Sequence, residues 1–554
     1  MTPALGPHEA VFRYHARSTH HPDRYAPGPG YLDWDNQPEP FRTWAGAGVL
    51  ELPPATGDLT ASWSDLHRPG AVTPRALDRA SVGAFLELAL GVTAWKEHRG
   101  VRWALRANPS SGNLHPTEAY AVLPESPGQP AGLYHYASRD HALERRFVPS
   151  PETVAALARL LPGGAFLVGL ASIHWREAWK YGERAFRYCQ HDVGHALGSL
   201  RYAAAALGWS ARLLDAPGDD DVSALLGLDR GEDFAAVAEA DREHPDGLVV
   251  VAPAPVVDAA AAGVESGLDA LRVGLAEGAW AGTPNALSSE HVEWPAIDDV
   301  AIATRKMRVL PKELVWTGPE GPSVGNACSS PALHLIRSRR SAVHMDGTTA
   351  LSTTVFFAML ERLQPRRGVP PWDVLPWAPR VHPVFFVHRV DGLPRGLYLL
   401  GRARDAGEVL RGALRPSFAW KRVDAPGGLP LFLLEEGEAR PLARFASCQQ
   451  EVAADSAFAV AMIADLRDLE GGPWWYRRLH WEAGVLGQVL YMEAEAAGVR
   501  GTGIGCFFDE VVHETLGLED RRLRDLYHFT VGGAVDDRRL TTTPGYGDAV
   551  RRRA

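Results

Sequence analysis

Arg106-Ala107-Asn108-Pro109-Ser110-Ser111-Gly112-Asn113-Leu114-His115-Pro116-Thr117-Glu118-Ala119-Tyr120 is the stretch from which the rest of the chain is read. Asn108-Pro109 and Gly112-Asn113 are turn pairs. Between them Ser110 and Ser111 offer two hydroxyls and a run of backbone N–H groups, with Arg106 just upstream. Such a loop can hydrogen-bond the planar, acceptor-rich edge of a ligand without closing a helix around it. The same composition also suits a plain surface turn.

Outward from the loop, apolar spacing predicts a helix over residues 74–90 and strands over 119–123 and 132–136. It then predicts a helix over 154–161, a buried strand over 165–173, and one long helix over 175–207 closed by Gly208. A short strand at 249–252 and an alanine-rich helix over 258–274 follow. Residues 275–325 mix Gly, Pro, Ser and acids between apolar segments and read as an inter-domain connection. Residues 1–60 lack periodicity but carry Trp34, Phe41 and Trp44, which predicts an extended strap on a folded body. After 325 the pattern restarts: helices at 333–340 and 355–363, strands at 381–390, 396–399 and 457–463, and a second long helix at 474–498.

The second half repeats the first. A shift of 290 pairs Arg187 with Arg477, Asp192 with Glu482, Gly194 with Gly484, Leu200 with Leu490, and Gly208 with Gly498. Gly132-Leu133-Tyr134 recurs as Gly396-Leu397-Tyr398, and His115-Pro116 as His382-Pro383. Three sets of landmarks in one order indicate a tandem duplication. The expected organisation is α+β: a strap over 1–60, one domain over 61–274, a linker over 275–325 and a second domain over 326–545.

Residues 109–116 resemble the Pro-Ser-Ser-x-Asn-x-x-Pro flavin loop of the nitroreductase family. With Arg106 ahead and Glu118-Ala119-Tyr120 behind, the stretch is similar to that of SagB-type oxidoreductases, flavoenzymes that oxidise azolines in peptides. The resemblance spans roughly residues 65–540. It implies mainly antiparallel sheets flanked by helices, FMN as cofactor, and homodimers whose flavin lies between subunits. A duplicated chain would supply its own partner as an intrachain pseudo-dimer, with no need to homodimerise. Arg106, Pro109, Ser110, Ser111 and Asn113 then form the cofactor loop. Arg339-Arg340-Ser341 resembles the family's basic-basic-Ser phosphate motif, a task that suits the planar guanidinium fork. Val343 stands where the family has a further basic residue, unless His344 or Arg337 replaces it. Gly501 to Asp509 resembles the segment that reaches the flavin ring, which adds Gly503, Gly505 and Cys506. Arg538 and Arg539 look like terminal phosphate contacts, and Gln449 or Gln450 like a ring contact. Each half lacks what the other keeps: Leu66 to Gly70 has no basic-basic-Ser motif, and Trp377 to Pro383 has neither serine. The resemblance thus implies one hybrid site and one FMN per chain.

Trp175 to Tyr188 resembles the Lys-Tyr segment of azoline dehydrogenases. Azoline oxidation removes a hydride and a proton, so a base is needed. The resemblance puts Lys180 in that role with Tyr181 assisting; both also suit a charged helix start beside Glu183 and Arg184. A NAD(P)H-dependent nitro- or quinone-reductase, and a flavin-binding non-catalytic scaffold of a biosynthetic complex, stay open beside it. The substrate is then a small molecule or a peptide, with biosynthetic partner proteins.

A net charge of −10 leaves a nucleic-acid role without an electrostatic footprint. Four scattered cysteines lack a C-x-x-C pair, which argues against a disulfide framework or zinc ribbon. His191 and His195 stand one turn apart with Asp192 between them, but no third ligand is evident. No metal site is expected, and surface or packing roles are, with Asp192 and Glu482 packing at the helix axis. With no leader-like or membrane-length apolar run, the chain reads as cytoplasmic, with no membrane partner.

Overall fold

The computed structural model describes residues 6–276, 278–310, 325, 327–404, 406–518 and 523–546, apart from the side chains of 467, 468 and 470. In the first half, strands β1 (Thr117–Leu123), β2 (Gly132–Ala137), β3 (Ala142–Val148), β4 (Phe166–Ser172), β5 (Trp209–Leu213) and β6 (His244–Pro253) form the main sheet. In the second, β7 (Val381–Val387), β8 (Gly396–Leu400), β9 (Leu431–Glu436), β10 (Phe458–Asp465), β11 (Arg500–Ile504) and β12 (Leu523–Gly532) do the same. The orders are β3-β2-β1-β4-β6-β5 and β9-β8-β7-β10-β12-β11, antiparallel throughout. The architecture is α+β, and the second sheet repeats the first strand for strand.

Between the sheets lie α1 (Ala185–Ala206) and α2 (Trp475–Ala496). Every residue of α1 is buried, including five charged or imidazole side chains that need partners there. The helices touch at Gly194 and Gly484. A Cβ on Gly194 would collide with the Trp481 carbonyl and stand 2.8 Å from the Gly484 Cα, so backbone meets backbone. Two ion pairs make the relation explicit. Arg187 reaches across to Asp509 (2.8 Å), and Arg477 reaches back to Asp219 (2.7 Å). The arginines are offset by 290 in sequence, and so are their acids. The contacts Trp481 to Gln190 (2.7 Å) and His191 beside His480 are also offset-equivalent. Equivalent residues thus meet across a pseudo-two-fold.

Two expectations need correction. The helix predicted over 175–207 is two: His174–Tyr181 and α1, separated by a 3₁₀ turn. Gly182 breaks it at φ +54°, ψ −135°, where its missing Cβ admits the strap at Pro27 and Gly28; Glu183 N–H donates to the Pro27 carbonyl (3.0 Å). The strap itself has a helix, Pro7–Arg17, and a strand, Gly48–Glu51, that extends the first sheet beside β3. The expected linker lies partly outside the described residues. Its described part binds the first half: Ala279–Trp280 pairs with β3, and Arg308 clasps Asp221.

A hairpin not foreseen, Val92–His98 with Val101–Arg106, leads into the serine loop. Thr541–Pro544, from the end of the second half, adds to it as a third strand. Among the described residues no helix is long and apolar enough to cross a membrane.

Candidate active site

A cavity of about 420 Å³ opens where the halves meet. The first half contributes the loop from Asn108 to Asn113, the hairpin residues Lys96, Trp103 and Leu105, and Tyr181, Tyr188, Asp192 and His195. The second contributes Arg339 to Val343, Gln450, Tyr491, Thr502 to Cys506, Tyr527 and Leu540. The serine loop, the arginine turn and the glycine strand, far apart in sequence, therefore line one space.

Asp192 holds the serine loop. Ser111 N–H donates to both of its carboxylate oxygens (3.1 and 3.3 Å), and the Ser111 hydroxyl to Oδ1 (3.1 Å). Burial raises this carboxyl to about 7; the hydrogen bonds from Ser110 and Ser111 act the other way. This corrects the expectation that Asp192 only packs at the helix axis. Its counterpart Glu482 receives the N–H groups of Arg380 and Val381 at 3.0 Å and is ion-paired with Arg402. Asp192 has no salt bridge among the described residues.

Arg339 is buried and ties the halves together, donating to the carbonyls of Ala107 (3.1 Å) and Arg106 (2.9 Å). Its Nη1 has no partner among the described residues. Arg340 donates to Thr93 Oγ1 (3.2 Å), and burial with Arg339 alongside lowers it to about 10. Burial also lowers Lys96, with Arg340 next. None of the three forms an ion pair among the described residues, although unpaired buried cations are costly. Val343 and Lys96 line the same cavity, so the further cation on this wall comes from the other half. Arg337 instead pairs with Glu87, and His344 is exposed. Ser341 Oγ lies 2.8 Å from the Tyr491 hydroxyl, which also accepts from Gly503 N–H (2.9 Å). A Cβ on Gly503 would strike Tyr527, and one on Gly505 would strike Tyr188. Those glycines make room for tyrosines on the wall.

Some expected residues fall elsewhere. Lys180 does not line the cavity; its ammonium lies 5.4 Å over the ring of Tyr181, which does. Neighbouring residues on a helix point about 100° apart, so only one of the two faces in. Arg538 and Arg539 are exposed, Arg539 bound to Asp537, and Leu540 takes the wall position. Gln449 is exposed at φ +62°, whereas Gln450 lines the cavity and donates to the Cys506 carbonyl (3.0 Å). Arg106 lines the wall but is anchored to the Pro40 carbonyl (2.7 Å). His191 and His195 are buried, not superficial: His191 stacks on Tyr527, and His195 Nε2 is 3.0 Å from the Tyr527 hydroxyl. Burial drives His195 down to about 3, so it is neutral.

The offset-equivalent positions in the other lobe are filled. Arg201 stands at the counterpart of Tyr491 and is bound bidentately by Asp373 (2.8 and 2.9 Å). Arg478, the counterpart of Tyr188, is bound by Asp215 and covers the rings of Trp377 and Trp475. Cations there are already neutralised. The tyrosine-for-arginine exchanges at an offset of 290 were a readable signal for this asymmetry; Lys96 left none, since its hairpin turns on an Arg-Gly pair.

Residues 72–238 match the model of the Nitroreductase family. A crystal structure of a candidate nitroreductase from Anabaena variabilis shares the fold over 95% of this chain and 99% of its own, with a TM-score of 0.66 and 21% identity. The candidate nitroreductase MJ1384 of Methanocaldococcus jannaschii is 28% identical over 142 residues, 25% of this chain and 68% of that protein. A chain of the E. coli microcin synthetase McbBCD complex with truncated pro-MccB17 overlaps 40% of this chain and 78% of its own, at 16% identity and a TM-score of 0.28.

Proposed function

We propose that the cavity holds one FMN and that the protein is an FMN-dependent oxidoreductase that dehydrogenates an azoline-type ring in a peptide or related natural-product intermediate. The observation that carries the cofactor is the convergence of three cations that form no ion pair among the described residues, Lys96, Arg339 and Arg340, with the serine loop and the glycine strand on one cavity shared by the halves. Its volume lies in the usual range for a cofactor site, about 300–1,000 Å³. The cations would hold the phosphate, and the loop held by Asp192 would meet the polar edge of the ring. The two halves act as the intrachain counterpart of a homodimer, with one working site.

FMN, when bound, supplies the hydride acceptor. The chain must dispose of the proton. Tyr181 stands on the wall as a neutral phenol, its pKa pushed well up by burial, with the Lys180 ammonium over its ring. Asp192, balanced near neutrality, can take up a proton at working pH. Lys180 acts through Tyr181 rather than on the substrate.

The test is flavin content followed by turnover. Purified protein should carry about one flavin per chain and convert a thiazoline-bearing peptide to the thiazole, read as loss of two hydrogens by mass spectrometry. A flavin-free protein refutes the cofactor. A flavoprotein that leaves thiazolines untouched but oxidises NAD(P)H with a quinone refutes the substrate.

A further inference from the structure

Cys506 on the cavity wall and Cys448, on the turn before Gln450, come from distant parts of the second half and meet thiol to thiol. Their backbones are fastened together: Phe508 N–H donates to the Ala446 carbonyl (2.7 Å), and Gln450 Nε2 to the Cys506 carbonyl (3.0 Å). Cys448 and Gln449 both hold left-handed backbone, at φ +51° and +62°, a conformation that side chains other than glycine adopt rarely. Both residues are half-buried.

The surroundings divide the pair into unequal partners. Ala26 N–H donates to His20 Nδ1 (2.9 Å), which fixes the tautomer and leaves Nε2–H to donate to Cys506. Arg184 is tied to the Gly505 carbonyl (3.1 and 3.2 Å), beside the same sulfur. Asp509 is held by Arg184 and Arg187, and the hydroxyl of Tyr25 approaches Cys448. The hydrogen bond from the Cys448 thiol, then His20 and Arg184, hold Cys506 well below the usual thiol range. The same hydrogen bond, then burial, pushes Cys448 up.

We propose that Cys506 and Cys448 are a redox-active thiol pair, with Cys506 the attacking thiolate and Cys448 the resolving thiol, and that small-molecule disulfides are the oxidant class. The Cys506 thiolate attacks one sulfur of the disulfide and expels the other half as a thiolate. Cys448 passes its proton to that thiolate and attacks the Cys506 sulfur, expelling the second half as a thiolate that takes its proton from water. Two cysteine thiols lose two electrons, and one external disulfide becomes two thiols. The closed bond takes from His20 its partner and puts a disulfide on the wall beside Gly505 and Gln450, so the redox state of the medium is written onto the cavity. The pair stands whether or not the cavity holds flavin.

The test equilibrates the full chain in glutathione buffers of graded ratio, quenches in acid, alkylates and maps the peptides. The expected result is simultaneous loss of both thiols in a single two-electron transition and a Cys448–Cys506 cross-linked peptide, with Cys189 and Cys328 still alkylated after unfolding. Cys448→Ser should trap Cys506 as its glutathione mixed disulfide, and Cys506→Ser should leave Cys448 free. The proposal is overturned if both thiols stay reduced in excess glutathione disulfide. A stable mixed disulfide on Cys506 in the parent, or a disulfide between chains, overturns it equally.

Discussion

Asp192→Asn keeps the shape of the side chain that holds the serine loop and removes its titration. The Asp192 carboxyl sits at about 7 in the fold against an ordinary 3.8. Between those values the folded chain keeps a proton that the unfolded chain releases, so rising pH favours unfolding. The loss begins as pH passes the unfolded value and is complete above the folded one. At about 1.36 kcal/mol per pKa unit, the full window is worth about 4 kcal/mol, and the part between about pH 5.5 and 8 about 2 kcal/mol. The Asn variant has no such loss. Its stability relative to the parent should therefore rise by about 2 kcal/mol over that interval. Asp246, raised to about 7 by burial, titrates in both proteins and cancels. Glu177, a buried carboxyl raised by burial and then by Asp192, is relieved when that charge goes, which adds in the same sense. The assay is urea unfolding of both proteins, followed by tryptophan fluorescence, at the two pH values. Parallel profiles, or a variant that loses ground at the higher pH, would refute an unpaired buried Asp192.

Arg340→Ala, or Ser110 and Ser111 together changed to Ala in the opposite half, should each empty the protein of flavin as read by absorbance. Each lost charge-assisted hydrogen bond removes about 1.5–3 kcal/mol. Arg380→Ala, in the filled lobe, should leave flavin at one per chain; two flavins per parent chain would sink the one-site reading. Gly484→Ala drives a methyl against the backbone of Gly194 and His195, 2.8 and 3.0 Å away, which cannot yield as a flexible side chain would. It should lower stability by at least about 1–3 kcal/mol and flavin occupancy with it, measured by thermal melting and absorbance. Asp192→Asn should cut thiazoline oxidation roughly a hundred- to ten-thousand-fold, whereas Tyr181→Phe, which removes a neutral hydroxyl, and Lys180→Ala should each cost less and keep flavin.

The sequence alone determined the α+β plan and its duplication. Strand periodicity and the order of landmarks survive insertions, and an offset of 290 that pairs Gly194 with Gly484 is a statement about helix phase that no loop disturbs. Residue chemistry also marked the loops that carry hydroxyls and guanidinium groups, because Ser110, Ser111, Arg339 and Arg340 stand in compact local motifs. Tertiary structure decided which side chains face the cavity. Gly182 breaks the predicted long helix, and on the short helix before it Tyr181, not Lys180, lines the cavity. The pseudo-two-fold packing brings Lys96 from one half beside Arg340 of the other, and Cys448 meets Cys506 across 58 residues of chain. Asp192 and Glu482 are offset equivalents on equivalent helices, yet Arg402 neutralises one while the other stays unpaired, raised by burial. Desolvation and counter-charge depend on neighbours through space, and one-dimensional spacing holds no record of them.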